Sequence, residues 1–389
     1  MTICHPFPQG GIPPMIPCQK ALFEIPPDVT YLNCAYMSPL LTAVREAGQQ
    51  AVARKSSPWQ IRPHDFFEEA EQARGLFAQL IGATPDDIAL IPAVSYGLAV
   101  AAQNLKLKPQ GSMLVLAEQF PSHVYPWRRL AERQQAKLFT IPRPPDQDWT
   151  AALWERIGDS TTVVAIPHCH WTDGGWIDLV AIGERCRQVG AALVLDVTQS
   201  LGALPLDVAA IQPDFLVCAT YKWLLGPYSM GFLYVAPPHQ QGQPLEEGWI
   251  ARQGSENFAC LVDYQDAYQP GSRRFDVGER SNFALLPMVI TALRQILTWQ
   301  VSEIATTLGS LTHKLAMGVA ERGLITAPAH QRANHMLGIR FPDGLPADLM
   351  ERLAQERVYV SQRGSSIRVS PHLYNDLTDI ERLLHLILP

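Results

Sequence analysis

Short apolar runs alternate with helical stretches through the middle of the chain, and this alternation is the feature that most constrains the fold. Five runs have the length and β-rich composition of strands. Two other stretches, residues 66–81 (before Gly82) and 178–189, have apolar residues at helical spacing. Because near-continuous apolar strands must be covered on both faces, we expect an α/β fold with a mostly parallel sheet flanked by helices. The predicted strands are residues 113–116, 162–166, 192–195, 215–218 and 231–235.

The last hundred residues have a different pattern, in which longer helices are mixed with short strands. A chain of 389 residues also exceeds the ~250–300 residues at which single hydrophobic cores stop growing. We therefore expect a Pro-rich N-terminal arm (residues 1–30), a large domain (31–285) and a small C-terminal α+β domain (286–389). The small domain is predicted to contain helices at 286–304, 308–322, 346–355 and 377–387, and strands at 336–341, 358–361 and 366–370.

Composition excludes several classes of partner. Thirty-one Lys and Arg against 37 Asp and Glu give a net charge of -6 without a long run of either sign, which disfavours nucleic acids and anionic membranes. No segment reaches the ~20 apolar residues of a membrane-spanning helix. Prolines interrupt the first twenty residues, so we do not expect a signal peptide there. Seven scattered cysteines without a C-x-x-C pair are typical of reduced thiols in a cytoplasmic protein.

Two ionisable residues stand at the ends of neighbouring predicted strands, where parallel α/β sheets bind ligands. Asp196 ends one apolar run, and Lys222 closely follows the next. Taken alone, Asp196 also fits a helix cap or a local salt bridge, and Lys222 fits a side chain that extends its charge to water. Together they provide a carboxylate and an amine that burial makes nucleophilic toward an aldehyde.

Pyridoxal phosphate (PLP) requires this pair. A lysine holds its aldehyde as a Schiff base, and an acid anion keeps the pyridine nitrogen protonated so that the ring accepts electrons from the substrate Cα. The phosphate requires an anion site, and residues 92–97 precede a helical stretch. We expect Ser95 to cap this helix and the N–H groups of Tyr96 and Gly97 to point at the phosphate, although most such helix starts cap only themselves.

The segments around these residues resemble the class V aminotransferases, which include kynureninases, isopenicillin N epimerase-like proteins and cysteine desulfurases. The resemblance rests on Asp196-Val-Thr-Gln-Ser-Leu-Gly and on Asp214-Phe-Leu-Val-Cys-Ala-Thr-Tyr-Lys-Trp-Leu-Leu-Gly-Pro, and it extends from about Tyr31 to the C-terminus. It implies the PLP-dependent fold type I, with a seven-stranded sheet in the large domain, and a homodimer.

The resemblance also implies roles for individual residues. Lys222 would carry PLP, Asp196 would pair with the pyridine nitrogen, and Gln199 would lie near the phenolic oxygen of the ring or near the lysine. Phe120 would stack on the ring, although a plain core phenylalanine is the simpler interpretation. The phosphate would be contacted by Ser95, Tyr96, Gly97 and Thr220.

Other positions are candidates for contacts with the cofactor's oxygen, with the substrate and with the partner subunit. His168 and His170 alternate along a strand end, but no third ligand has suitable spacing, so we predict no metal site. The resemblance instead places His170 against the cofactor's oxygen. Arg368 would bind the substrate α-carboxylate through its planar fork, unless it is a surface arginine. Ser281 and Asn282 correspond to a loop that a second subunit lends to the phosphate.

Several reactions begin with the same cofactor-bound amino acid. Once the substrate amine displaces Lys222, the free lysine is placed to remove the Cα proton. Amino transfer between an amino acid and a keto acid is the simplest outcome, and C–S or C–C lyase and epimerase reactions stay open. Residues 358–366 lack the sulfur-accepting cysteine of a desulfurase, and Gln199 stands where kynureninases have histidine.

The alternatives from another class are a non-catalytic binding protein on the same fold and an unrelated nucleotide-binding α/β protein. The sequence contains neither G-x-G-x-x-G nor G-x-x-x-x-G-K-[ST], which argues against nucleotide binding. Every expected cofactor position holds a chemically suitable residue, which argues against a protein without catalytic function.

Overall fold

Twelve strands lie within residues 14–387, the part of the chain that this computed structural model describes. Seven of them form the central sheet, in the order β2-β8-β7-β6-β5-β3-β4, and within it only β8 runs antiparallel to its neighbours. The predicted mostly parallel sheet is confirmed. The strands are β1 (Thr30–Tyr31), β2 (Ile88–Ile91), β3 (Ser112–Leu116), β4 (Lys137–Ile141), β5 (Thr161–Pro167), β6 (Ala192–Asp196), β7 (Phe215–Ala219), β8 (Gly231–Val235), β9 (Leu337–Arg340), β10 (Val358–Tyr359), β11 (Ser361–Arg363) and β12 (Ser366–Val369).

Helices cover both faces of this sheet, and on each face a hydrophobic cluster fills the interface between the helices and the strands. The predicted helix at 66–81 is confirmed, and Gly82 ends it in the left-handed conformation (φ 71°). The helices of the described chain are α1 (Thr42–Arg54), α2 (Asp65–Ile81), α3 (Val94–Asn104), α4 (Tyr125–Gln134), α5 (Trp149–Arg156), α6 (Leu179–Val189), α7 (Val208–Ile211), α8 (Leu286–Trp299), α9 (Val301–Ala320), α10 (Leu349–Gln355) and α11 (Leu377–Ile387).

The boundary between α8 and α9 differs from the prediction. The helices meet at Gln300, which has φ 61°, and not at residues 304–308. Ile304 and Leu308 are both buried inside α9. Because the apolar pattern continues through the junction and neither glycine nor proline marks it, the sequence does not indicate the break.

The N-terminal segment that the structure describes joins the C-terminal part of the chain. β1 pairs in parallel with β10, and Gln19 N–H donates to the Leu373 carbonyl (2.7 Å). The C-terminal part also contains an antiparallel sheet in the order β11-β12-β9. α8, assigned to the small domain by prediction, packs against α1 and α2. The domain boundaries at residues 30 and 285 stay predictions.

Membrane-spanning helices and the state of the cysteines were also addressed by the sequence. No helix in residues 14–387 is both long enough and apolar enough to cross a membrane. The six cysteines in the same region are free thiols, as their spacing predicts. Cys4 and residues 1–13 of the predicted Pro-rich arm lie outside the described residues.

Candidate active site

A cavity of about 250 Å³ opens where the carboxyl ends of the central parallel strands meet the N-terminus of α3. Five residues predicted from the sequence line it together. They come from four separate segments of the chain, so the topology of the sheet brings them to one place. They are Ser95, Phe120, Asp196, Gln199 and Lys222.

Lys222 lies three residues after β7 and is only 8% exposed. Its Nζ makes no hydrogen bond to a described residue and lies 5.6 Å from the centroid of the Phe120 ring. Burial lowers the pKa of this amine to about 8, against the opposing effect of the Asp196 carboxylate. A pKa of about 8 leaves roughly a tenth of the Lys222 amine neutral and nucleophilic at pH 7, far more than in an exposed lysine.

Asp196 ends β6, between Pro167 of β5 and Val217 of β7 in the sheet register. Its side chain accepts a hydrogen bond from the Thr198 N–H (3.0 Å), and no described Lys, Arg or His lies within 4 Å of its oxygens. The residue is 8% exposed. A buried carboxylate with so few donors is stabilised by a cationic or N–H group that enters the cavity.

The N-terminus of α3 differs from the prediction. Its N-cap is Ala93, so Ser95 lies inside the first turn and the predicted cap was wrong. The N–H groups of Tyr96 and Gly97 both donate to the Ala93 carbonyl (3.0 and 3.4 Å), and they are not free for a phosphate. The N–H groups of Val94 and Ser95 donate to no described residue. The free N–H groups at the start of α3 therefore lie two residues earlier than predicted.

Gln199 is held in place at both ends of its amide. Its Nε2 donates to the Ala35 carbonyl (3.0 Å), and its Oε1 accepts from the Trp223 indole N–H (3.1 Å). Phe120 is 39% exposed and meets the Trp171 ring edge to face, with 5.6 Å between the centroids. Part of the Phe120 ring is therefore accessible from the cavity.

Two predicted cofactor contacts point away from the cavity. His170 is fully buried and stacks on Trp149, and its Nε2 bonds the Ala117 carbonyl (3.0 Å). The Thr220 hydroxyl donates to the carbonyl oxygen of Pro227 (2.7 Å) and not toward the α3 N-terminus. Neither residue lines the cavity, because the loops after β5 and β7 turn these side chains inward.

Three more predicted residues lie outside the cavity of their own chain. Ser281 donates to the Phe66 carbonyl (2.5 Å), and Asn282 accepts from the backbone N–H groups that precede α8. Arg368 is completely buried, and its Nη1 donates to the backbone carbonyl of Trp171 (2.5 Å), a cavity residue. Its Nε and Nη2 are buried and have no partner among the described residues.

His123 is a cavity residue that sequence reasoning missed. It is 1% exposed, and neither ring nitrogen has a hydrogen-bond partner in the described chain. Burial lowers the pKa of the imidazole to about 4, opposed by Asp196, so the ring is neutral at physiological pH. The short turn at Pro121–His123 returns it to the same side as Phe120. The preceding Phe-Pro turn was the available sequence signal.

Comparison with known proteins decides the family. A family profile described as aminotransferase class-V matches residues 38–383. This chain belongs to the class V aminotransferase family. Class V aminotransferases are PLP-dependent, so membership confirms the predicted cofactor.

Similar members of the class V family include proteins with different activities. The chain is 28% identical to the uncharacterized aminotransferase YcbU of Bacillus subtilis (strain 168), over 92% of this chain and 93% of that protein. It is 27% identical to the isopenicillin N epimerase of Streptomyces clavuligerus, over 80% and 82% of the two chains. Sequence similarity therefore indicates the family without selecting one reaction.

Solved structures with the same fold include a cysteine desulfurase and a C-DES mutant. The apo cysteine desulfurase from Thermococcus onnurineus NA1 has a TM-score of 0.81 at 20% identity, covering 96% of this chain and 98% of that chain. The C-DES mutant, with glycine covalently linked to its PLP cofactor, has a TM-score of 0.84 at 19% identity and covers 95% and 99%. These similarities establish the fold type I architecture of this chain.

The unpartnered groups around the cavity fit the class V cofactor. The amine of Lys222 suits an aldehyde, and the carboxylate of Asp196 suits a protonated pyridine nitrogen. The free N–H groups at Val94 and Ser95 suit a phosphate. Each group has the chemistry that one part of PLP requires, and the same cavity contains all of them.

Proposed function

We propose that this protein is a PLP-dependent enzyme that acts on an amino acid, and that its reaction is amino transfer to a keto acid. The observation that carries the proposal is the buried, unpartnered amine of Lys222 in one cavity with the Asp196 carboxylate. When bound, the cofactor supplies an aldehyde that captures amines and a ring that accepts electrons from the substrate Cα.

The residues of the chain then have separate tasks. With the cofactor bound, Lys222 Nζ would take the substrate Cα proton, and such general-base catalysis contributes about 10²- to 10⁴-fold. Asp196 holds a proton at the pyridine nitrogen. Arg368 receives the substrate α-carboxylate through its two unpartnered nitrogens.

The placement of the cysteines supports amino transfer over a persulfide mechanism. Among the described cysteines, the exposed ones are Cys18 and Cys260, and neither lines the cavity. Cys169 does line it, but its Sγ donates to the Gln199 carbonyl (3.3 Å), and burial raises the pKa of this thiol. A protonated, hydrogen-bonded thiol is a poor acceptor of sulfur.

We also propose that the enzyme works in the cytoplasm as a homodimer. The loop that contains Ser281 and Asn282 lies outside the cavity of its own chain, which is compatible with a role in the partner's phosphate site. Light scattering of the purified protein should give twice the chain mass of 43.2 kDa. A monomer that retains full activity would contradict this part of the proposal.

The experiment that tests the function starts from the purified protein with bound cofactor. Borohydride should fix PLP to the peptide that contains Lys222. Lys222→Ala should abolish this linkage and lower turnover by at least about 10²-fold, while the exposed control Lys55→Ala should change neither. Unchanged turnover in the Lys222 variant would overturn the proposal.

A second measurement separates the reactions. Amino acids are mixed with the holoenzyme, and the product keto acid is measured with and without an acceptor keto acid. Amino transfer requires the acceptor for multiple turnovers. Continuous release of ammonia or sulfide without an acceptor would instead identify a lyase, and an unchanged cofactor spectrum with every amino acid would exclude the substrate class.

A further inference from the structure

A hairpin beside the cavity presents two arginines on one face. β11 and β12 pair antiparallel, with Ser361 opposite Arg368 and Arg363 opposite Ser366. Residues directly opposite each other in an antiparallel pair point to the same side, and so do residues two apart along a strand. The side chains of Arg363 and Arg368 are therefore diagonal neighbours on one face of the hairpin.

That face packs against the segment that forms one wall of the cavity. Arg368 Nη1 donates to the Trp171 carbonyl, and the guanidinium carbon of Arg363 lies 5.1 Å from the centroid of the Trp171 ring. Trp171 lines the cavity. A Cβ on Gly338, which lies opposite Arg368 in β9, would be 2.5 Å from the Asp173 Cβ, so the approach is close. Both arginines therefore lie beside the wall of the cavity that Trp171 forms.

Neither arginine has an anionic partner in residues 14–387. Arg363 Nη1 donates to the Gln362 carbonyl (2.7 Å), and its Nε is buried without a partner. The nearby carboxylates of Glu118 and Asp173 both pair with Arg143 instead. Burial, together with the positive charge of Arg363, lowers the pKa of Arg368 to about 9.

The two arginines place two cationic groups beside the Trp171 wall of the cavity, close enough to Lys222 to lower its pKa. A single α-carboxylate would neutralise only one of these charges. Fork-shaped guanidinium groups bind carboxylates with two parallel hydrogen bonds, and each of these arginines has nitrogen atoms free to do so.

We propose that the substrate is an acidic amino acid, whose α-carboxylate binds Arg368 and whose side-chain anion binds Arg363. This inference rests on the proposed function and adds the substrate class to it. The residue that determines specificity is then Arg363, which lies in the hairpin beside the cavity and over the Trp171 ring.

The first test compares acid and amide pairs on the holoenzyme. Aspartate against asparagine, and glutamate against glutamine, differ in the side-chain charge but little in size. We expect kcat/KM to be at least about tenfold higher for one acid than for its amide. Amides that react as fast as the acids would overturn the inference while leaving the proposed function intact. A cofactor spectrum that responds to no amino acid would overturn the proposed function itself.

The second test locates the preference. Arg363→Met should raise KM for the acid by about tenfold or more and leave kinetics with the amide unchanged. Arg340→Met removes an exposed charge from the same sheet, and it should leave the preference as it is. Arg363→Lys keeps the charge but loses the fork, and it should restore part of the preference.

Binding without turnover provides an independent readout. Calorimetry on the holoenzyme should give tighter binding of succinate, a dicarboxylate, than of butyrate, a monocarboxylate of the same length. Arg363→Met should remove this difference. Equal binding of the two by the parent protein, or a difference that persists in the Arg363→Met variant, would overturn the assignment of Arg363.

Discussion

Lys222 differs from an exposed lysine in the pH at which it becomes reactive. Burial destabilises the charged amine and lowers its pKa, so half of it is neutral at about pH 8, compared with about pH 10.5 for an ordinary lysine. We predict that the rate of PLP uptake by cofactor-free protein increases with pH up to about 8 and then levels off. Stopped-flow absorbance across pH 6–10.5 measures this. A rate that continued to rise to pH 10 would indicate an amine that behaves as if it were in water.

His123 allows a prediction in which stability and binding change in opposite directions. A buried imidazole without a hydrogen-bond partner costs free energy in the cofactor-free protein. His123→Met should therefore raise the free energy of unfolding by about 1 kcal/mol. It should also weaken PLP binding roughly tenfold, about 1.4 kcal/mol, because the neutral ring next to Asp196 can donate into the cavity.

Urea unfolding and a PLP titration test the two parts of this prediction. A lower unfolding free energy together with unchanged PLP affinity would mean that the imidazole serves only in packing. Since burial lowers the pKa of His123 to about 4, its protonation should affect activity only below about pH 5.

At the residue scale, the sequence predicts best the groups that sit directly at strand ends. Asp196 and Lys222 are brought together because the sheet register fixes the ends of β6 and β7. His170 and Thr220 were misplaced, since the direction of a side chain in a loop depends on the turn that follows it. His123 was missed for the same reason.

Gly97 allows a prediction at the scale of helix packing. A Cβ at this position of α3 would lie 2.6 Å from Val217 Cγ1 and 2.9 Å from Ile91 Cδ1. Gly97→Ala should therefore move α3 away from the sheet, cost about 1–3 kcal/mol of stability and weaken PLP binding at the Val94 and Ser95 amides.

A matched control is the glycine at position 75 in α2, where an added Cβ meets nothing within 4 Å. Gly75→Ala should stabilise the protein by about 0.5–1 kcal/mol, because alanine has the higher helix propensity. Urea unfolding of both variants measures the difference. Equal effects at positions 75 and 97 would mean that helix propensity, and not packing, determines the result.

At the scale of elements, most buried strands of the central sheet were predicted, but β2 was missed although all four of its residues are buried. β3 and β5 to β8 are almost entirely buried, so each appears as an apolar run. β4 lies at the edge of the sheet with Lys137 and Thr140 exposed, and its composition does not distinguish it from a loop. The break between α8 and α9 has no residue that marks it.

Thr30 links the two ends of the described chain and allows a prediction at the scale of the whole molecule. Its hydroxyl donates to Asp379 (2.7 Å), and both residues are buried. Thr30→Val keeps the shape of the side chain but removes this donor, so it should lower the free energy of unfolding by about 1.5–3 kcal/mol. The control is Thr298→Val, an exposed position on α8 where a change within about 0.5 kcal/mol is expected.

Both variants are compared by urea unfolding at neutral pH. A Thr30 variant as stable as the parent protein would show that the pairing of β1 with β10 holds without this contact.

The pairing of β1 with β10 was not predicted, because local sequence patterns do not report which distant segments pair. The sequence predicted that residues 1–30 form a separate arm. Gln19 and β1 instead form backbone contacts with residues more than 300 positions later.

The pairing of β1 with β10 also means that, during synthesis, β1 is made long before its partner strand. A ribosome that adds about 5–20 residues per second needs roughly 15–65 seconds between Tyr31 and Val358. During that interval the lysine and the carboxylate strand emerge, while the arginine hairpin is still untranslated. The nascent protein can thus acquire the means to hold its cofactor before it has the means to choose a substrate.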